Sequence, residues 1–187
     1  MNTATQTSPR INGVDTDQVT GLAGHIQRDE DYGKFRFRAR NQWINGAHTR
    51  SYIQGFLAGG NEDSSRKKAF AVDTDQPVFL GGENIAPNPV EYLLHALDSC
   101  LTTTLVYHAS VQGIRLESVD TSSEGEMNAR GFFGISDKVS KGYERIRVDM
   151  RVKSDAGADT LRKLALHSPV YEMVSKAVPV EFTLTTI

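Results

Sequence analysis

Two parts of the chain, Tyr32–Asn41 and Glu144–Lys153, alternate apolar and polar residues with the period of two that is typical of half-buried β-strands. In Tyr32–Asn41, Phe35 and Phe37 share one face while basic residues occupy the other. The pair Asn45-Gly46 follows and favours a hairpin turn into a second strand over Ala47–Leu57. The N-terminal half, after a polar arm over residues 1–18, is therefore predicted to consist mainly of strands.

A long helix is predicted over Asn88–Gly113. Asn88 suits the N-cap, Pro89 the first helical position and Glu91 the third, where a carboxylate completes a capping box. Gly113 supplies the C-terminal stop. At about 100° per residue, one side of this helix gathers an apolar arc: Val90, Leu93, Leu94, Leu97, Cys100, Leu101, Thr104, Leu105, His108 and Val111. The opposite side is polar: Glu91, His95, Asp98, Ser99, Thr102 and Thr103.

This arc is larger than the few other predicted helices can cover within one chain. Packing two such helices face to face removes the apolar surface from water, and a symmetric pair is the commonest way to do so. The pattern therefore predicts a homodimer.

The second half of the chain returns to β-structure. An extended segment over Ile114–Ala129 leads into a glycine-punctuated loop, and a strand with strict alternation follows over Glu144–Lys153. A short helix over Ala158–His167 precedes a second helix over Pro169–Ala177, with Ser168 as its N-cap, and a last strand closes the chain. The predicted order is a group of strands, then one long helix, then strands around a helix pair. This order indicates the α+β class, with a single domain over residues 19–187.

Composition limits the possible functions. The chain has 187 residues, of which 39% are hydrophobic and 24% charged, with a formal net charge of −2. These fractions are those of a globular protein, and no basic face points to nucleic acid. No apolar run approaches the roughly 18 residues of a membrane span, and no secretory signal stands at the start, so neither a membrane partner nor export is expected. A cytoplasmic location is the expectation.

Known cofactor and metal motifs are missing from the sequence. It holds no glycine-rich nucleotide loop, and its five histidines have no ligand spacing, so no cofactor and no metal are expected. The single cysteine, Cys100, cannot form a disulfide within the chain. It lies about three turns into the long helix, beyond the reach of the helix dipole. On these grounds it is either a small core residue or a nucleophile activated by another segment.

The segment GENIAPNPVEYLLHALDSCLTTT, residues 82–104, resembles the central helix of the OsmC/Ohr family, the osmotically inducible protein C and organic hydroperoxide resistance proteins. The strand RIRVDMRVK, the following helix, Ser168-Pro169-Val170 and the closing strand occur in that family's order. The resemblance implies antiparallel sheets wrapped around long central helices in an intertwined homodimer, with sites at the dimer interface.

The resemblance also implies a chemistry. Peroxidase members of the family attack an organic hydroperoxide with a cysteine of the helix, matched here by Cys100, and resolve the product with a second cysteine. Ser168 occupies that second position and is carried over as a binding residue. The family's glutamate falls at Val90, so Glu91 is one position away and is either a site residue or only a capping carboxylate. The family's arginine has four candidates in the early strands: Arg28, Arg36, Arg38 and Arg40.

Two functions remain open on this reasoning. One is a thiol peroxidase for organic hydroperoxides that acts through Cys100 and is regenerated by an external thiol reductant, because a serine cannot form a disulfide with a sulfenic acid. The other keeps the fold without peroxidase chemistry and binds a small apolar ligand at the dimer interface.

Overall fold

The computed structural model describes residues 10–187, and the first nine residues of the predicted arm lie outside this range. The chain forms two compact units: one joins the segment up to Val19 with Leu94–Ile187, and the other is Thr20–Leu93. The elements in chain order are β1 (Arg10–Ile11), β2 (Val14–Asp15), α1 (Thr16–Arg28), β3 (Arg40–Asn45), β4 (His48–Ile53), β5 (Phe56–Ala58), β6 (Asn61–Asp63), β7 (Phe70–Thr74), α2 (Pro89–Val111), β8 (Leu116–Met127), α3 (Ala129–Phe132), β9 (Tyr143–Ser154), α4 (Ala158–Ala165), α5 (Pro169–Ser175) and β10 (Val180–Thr186).

Both ends of α2 follow the local signals in the sequence. The Asn88 side chain accepts a hydrogen bond from the Glu91 amide at 2.9 Å, and the Glu91 carboxylate accepts one from the Asn88 amide at 2.7 Å. This reciprocal pair is the predicted capping box. At the other end Gly113 adopts φ 74° and donates to the Ser110 carbonyl, while Ile114 donates to Ala109. This is the Schellman pattern that ends many helices at glycine.

The larger unit carries the apolar core. Its sheet has the order β10-β9-β8, and the strict alternation of β9 places four side chains inside: Ile146, Val148, Met150 and Val152. They pack with the buried side chains of α2: Leu97, Leu101, Leu105 and Ala109. The β8–β9 pair is antiparallel, whereas β10 runs parallel to β9, because α4 and α5 lie between them and return the chain to the starting edge.

The Thr20–Leu93 unit is built differently. It contains the antiparallel sheet β3-β4-β7 and the separate hairpin β5-β6. Among its residues only Asp75 is fully buried, and several large apolar side chains are more than half exposed: Phe37, Trp43, Phe70, Val78, Phe79 and Ile85. This unit therefore has no apolar core of its own.

Most predicted elements are confirmed, including the Asn45-Gly46 hairpin and the α+β class, but the strand predicted over Tyr32–Asn41 is largely wrong. Asp29 caps a 3-10 turn over Glu30–Gly33, which diverts the chain, and only a single bridge links Arg36 to β5 before β3 begins. Alternation alone does not reveal this local cap.

The dimer stays a prediction, but the structure covers part of the apolar arc on which it was based. The middle of the predicted arc, Leu97, Leu101 and Leu105, is completely buried against the chain's own sheet and C-terminal helices. Any second copy must therefore meet the edge of the arc that stays open, which includes Leu93, Cys100 and Val111. Within residues 10–187, no helix is long and apolar enough to span a membrane.

Candidate functional site

Cys100 lies on a side of α2 that the core leaves open. Residues spaced three or four apart lie within about 60° of it around the helix and form what we call the α2 seam: Leu93, Ala96, Cys100, Thr103, Tyr107 and Val111. Leu93, Tyr107 and Val111 are exposed, and Cys100 itself is a half-buried free thiol. The thiol therefore faces the open side of α2 rather than the packed core.

The α2 seam has no charged side chain. Its members are apolar or carry only a hydroxyl or thiol group, so this face of α2 offers neither a base nor a cation to Cys100. Activation of the thiol has to come from another segment or from another copy of the chain, as the sequence analysis expects.

Asp98 is close to Cys100 in sequence but faces another way. Its Oδ2 accepts a hydrogen bond of 2.8 Å from the Ser123 hydroxyl on β8, and the neighbouring Thr102 and Thr121 hydroxyls are 2.7 Å apart. Burial raises the pKa of Asp98, against the lowering effects of Ser123 and His95. Asp98 and Thr102, placed on the polar side by the sequence analysis, in fact bind the sheet.

Glu91 is engaged at the start of α2. Its carboxylate is exposed and completes the capping box with Asn88. The sequence left two roles open for Glu91, and the structure shows the capping role. A role in the site stays a prediction.

Ser168 is completely buried and is the N-cap of α5. Its hydroxyl accepts a hydrogen bond of 3.2 Å from the Tyr171 amide. The adjacent His167 stacks on His108 of α2, with ring centroids 4.6 Å apart. Burial lowers the pKa of His108, and the nearby His167 lowers it further. The start of α5 therefore lies beside α2, about two turns beyond Cys100, and no hydrogen bond described within residues 10–187 joins Ser168 to Cys100.

The four candidate arginines all lie in or near the β3 to β6 region or α1. Arg38 makes two hydrogen bonds to the Glu62 carboxylate, at 2.8 and 2.6 Å, and Arg40 lies over the Tyr52 ring. Arg28 contacts His25, and Arg36 bridges to β5 through its backbone. The Glu62 hydrogen bond and charge raise the pKa of Arg38, so this guanidinium already has a carboxylate partner.

A polar cluster in the Thr20–Leu93 unit is absent from the sequence analysis. His48 and Arg50 of β4 both bind Asp73 of β7, with nitrogen to oxygen distances of 2.7 and 2.8 Å. Hydrogen bonds from Arg50 and His48 lower the pKa of Asp73. The only signal would have been the register that places Arg50 directly opposite Asp73, and that register is not visible in the sequence.

Asp75 continues this cluster at the edge of a cavity of about 100 Å³, which is also lined by His48, Gly82 and Glu83. Its carboxylate accepts hydrogen bonds from the backbone amides of Gln76, Glu83 and Ile85. Burial alone would raise the pKa of Asp75, but these three bonds outweigh it and lower the pKa. The charge is therefore used to hold the loop before α2. No group of three or more metal-ligating side chains occurs in the described part of the chain.

The family model described as OsmC-like protein matches residues 81–183. A comparison with curated proteins gives no significant match. Among solved structures, an OsmC-like protein from Mycoplasma pneumoniae is similar to this chain with a TM-score of 0.61 and 11% identity, covering 81% of this chain and 97% of the other. An organic hydroperoxide resistance protein from Legionella pneumophila has a TM-score of 0.55 and 18% identity, covering 80% of this chain and 96% of the other. Another protein of that name, from Elizabethkingia anophelis, has a TM-score of 0.54 and 14% identity, covering 80% of this chain and 94% of the other. At these identities the likeness establishes the shared fold.

Proposed function

Because the chain belongs to the OsmC-like protein family, we propose that it is a thiol-dependent peroxidase that reduces organic hydroperoxides through Cys100 with an external reductant. The observation that carries this proposal is the position of the thiol. Cys100 is free, half-buried and directed to the open seam of the helix that matches the family. Two structures of the same fold bear the name organic hydroperoxide resistance protein, which supports the choice of substrate class.

The reaction has two stages in this proposal. The Cys100 thiolate attacks the terminal oxygen of the hydroperoxide, the O–O bond breaks, and the alkoxide takes a proton and leaves as an alcohol. Cys100 is then a sulfenic acid. One thiol of an external dithiol displaces water from it and forms a mixed disulfide, and the second thiol of the carrier releases Cys100 and leaves the carrier oxidised. The proposal places the protein in the cytoplasm, where reduced dithiols are available.

An external reductant is required because the chain has one cysteine. Ser168 cannot take over resolution, since its oxygen has no disulfide chemistry and its hydroxyl caps α5. We assign it the role of a buried residue near the pocket wall, which remains a prediction from the family resemblance. Glu91 is not needed in the proposed mechanism, because its carboxylate is engaged in the capping box.

We further propose that two copies assemble around the α2 seam. The seam offers Leu93, Tyr107 and Val111 to solvent, and the Thr20–Leu93 unit leaves Phe37 and Trp43 more than half exposed. Monomeric proteins rarely expose so much large apolar surface, and a symmetric partner is the commonest way to cover it. In such a dimer the partner supplies what the seam lacks, a cation or base beside Cys100.

Binding of a small apolar ligand at the dimer interface is the second candidate. It is favoured by one observation: both accessory residues carried over from the family, Glu91 and Ser168, serve as helix caps. A seam without charged groups suits an apolar ligand equally well.

Steady-state reduction of an alkyl hydroperoxide decides between the two. The full chain is assayed with dithiothreitol, dihydrolipoamide and glutathione as separate donors, beside Cys100→Ser and the control Thr103→Ser on the same seam. We expect turnover with at least one dithiol, loss of that turnover in Cys100→Ser, and near wild-type activity in Thr103→Ser. Equal background rates for the wild type and Cys100→Ser with every donor would reject the peroxidase and leave ligand binding as the function.

A further inference from the structure

The connection between β8 and β9 carries an apolar patch away from the α2 seam. Phe132 and Phe133 pack edge to face, with ring centroids 5.0 Å apart, yet they are 61% and 56% exposed. Ile135, two residues later, is 70% exposed. We call these three side chains the β8–β9 patch. Exposed apolar groups that cluster in this way mark contact sites more often than scattered ones do.

The backbone around the patch is held by its own hydrogen bonds. Asn128 caps α3 by accepting from the Arg130 amide at 3.2 Å, and the Ile135 amide donates to the Arg130 carbonyl at 2.9 Å. Gly131 is buried so closely against the Ser140 carbonyl that no side chain fits there. The loop therefore presents the two phenylalanines in a defined position, and their exposure follows from the fold of the loop.

The charges around the patch are mainly positive. Between Asn128 and Gly142 stand Arg130, Lys138 and Lys141, against Asp137 as the one acidic residue. The cations of the adjacent strand β9 are paired with carboxylates, as in Arg147 with Glu124. Within residues 10–187 no described ion pair involves Arg130, Lys138 or Lys141. Arg130 donates from Nε to the Asn128 side chain at 3.1 Å. Cations that share a loop with exposed aromatic rings are complementary to a surface of negative charge over an apolar interior.

We propose that the β8–β9 patch docks the protein on an anionic lipid bilayer surface. Three side chains of this size offer a few hundred Å², well below the about 800 Å² per partner of a stable protein interface. Insertion of two rings at the headgroup level, with lysines and an arginine at the phosphates, needs no larger area. The sequence analysis expects no membrane partner because no apolar run is long enough to span a membrane. Docking at the membrane surface needs no such span.

Co-sedimentation with vesicles tests the proposal. The full chain is mixed with vesicles of phosphatidylcholine alone or with added phosphatidylglycerol, at low and high salt. We expect binding to the anionic vesicles only, weakened by salt because the contact is partly electrostatic. The double variants Phe132→Ser/Phe133→Ser and Lys138→Gln/Lys141→Gln should each reduce binding about tenfold or more. The control is Phe79→Ser, which changes a phenylalanine that is 95% exposed in the other unit.

The lysine variant keeps the test valid if loss of the phenylalanines alters the loop, because both lysines are exposed. Circular dichroism of each variant checks that it is folded. Absence of wild-type binding to anionic vesicles, or binding unchanged in both double variants, overturns the proposal. So does a fall in molar mass by light scattering in Phe132→Ser/Phe133→Ser, which would assign the patch to a second copy of the chain.

Discussion

Cys100 is separated from the charged groups of its own helix by direction rather than by sequence distance. Asp98 is two residues away, but the helix turns it about 160° from the thiol, and Ser123 holds it against β8. The seam around Cys100 is neutral as a result. A neutral surrounding protects a sulfenic acid from nucleophiles of the chain itself, since no second thiol or amine shares that face.

The first prediction concerns that sulfenic acid. On treatment with one equivalent of an alkyl hydroperoxide, Cys100 should be oxidised and should then react with dimedone, because the chain has no other cysteine to form a disulfide. Mass spectrometry of the intact protein measures the adduct, and Cys100→Ser is the control. A thiol that stays unmodified until the protein is unfolded would identify Cys100 as a core residue and contradict the proposed chemistry.

The second prediction follows from the buried carboxyl of Asp98. Burial raises its pKa in the folded chain above the unfolded value, so folding favours the protonated form and the ionised form costs stability. The stability contribution is therefore present at low pH and is lost as the pH rises through the folded pKa. Asp98→Asn, which stays neutral, should gain free energy of unfolding relative to the wild type as the pH rises above about 4, the value of an unfolded Asp.

Urea unfolding followed by circular dichroism at each pH measures this gain. The matched control is Asp149→Asn, at an exposed position on β9. A difference between Asp98→Asn and the wild type that does not change with pH would show that ionisation of Asp98 has no effect on stability.

At the scale of elements, the parts that could be predicted are those with a local signal. The capping box at Asn88, the Schellman end at Gly113, the Ser168 cap and the alternation of β9 all act within a few residues of chain. The features that could not be predicted depend on contacts between residues far apart in the sequence. Asn12, for example, closes a turn with φ 51° and bonds the Ser110 hydroxyl and the Ile114 carbonyl, so β1 and β2 form where composition indicates only a polar arm.

The candidate site divides in the same way. Cys100 could be predicted as a candidate from its place on the helix and from the family pattern. The Asp73 and Asp75 cluster could not, because strand register and a loop closed by backbone amides bring its members together. Sequence spacing contains neither kind of information.

The third prediction separates the two roles left open for Glu91. Glu91→Ala removes the acceptor for the Asn88 amide and should cost about 1 kcal/mol of stability. If the residue only caps α2, peroxidase turnover of the folded variant should equal that of the wild type. Glu91→Gln is the control, because an amide oxygen still accepts the capping bond. A loss of kcat in both variants, with stability preserved in the second, would instead place Glu91 in the site.

The fourth prediction tests the loop before α2. A side chain at Gly82 would meet the Gln76 carbonyl, so Gly82→Ala must displace the loop that the Asp75 carboxylate holds. We expect a lower melting temperature, because the backbone has to shift and the hydrogen bonds to Asp75 are lost with that shift. Gly142→Ala is the control, since no atom lies near that position. Equal melting temperatures for the two variants would show that the loop adapts without strain.

For the whole molecule, the uneven distribution of the core is the main fact. The unit with Leu94–Ile187 buries a continuous cluster, whereas the Thr20–Leu93 unit buries only Asp75 and exposes large aromatic side chains. A unit of this kind loses conformational entropy on folding without the usual gain from apolar burial. Its stability has to come from burial of these exposed apolar side chains against another surface. This is the physical argument for a second copy of the chain.

The last prediction is the assembly that this argument requires. Light scattering at micromolar concentration should give about twice the chain mass of 20.6 kDa. Ala96→Arg places a charge in the middle of the α2 seam, where a partner helix would have to bury it, and should shift the mass toward one chain. Thr183→Arg puts the same charge at an exposed position of β10 and should leave the mass unchanged. A wild-type mass of one chain, or a dimer unaffected by Ala96→Arg, would contradict assembly around the seam, and Cys100 would then have to be activated within a single chain.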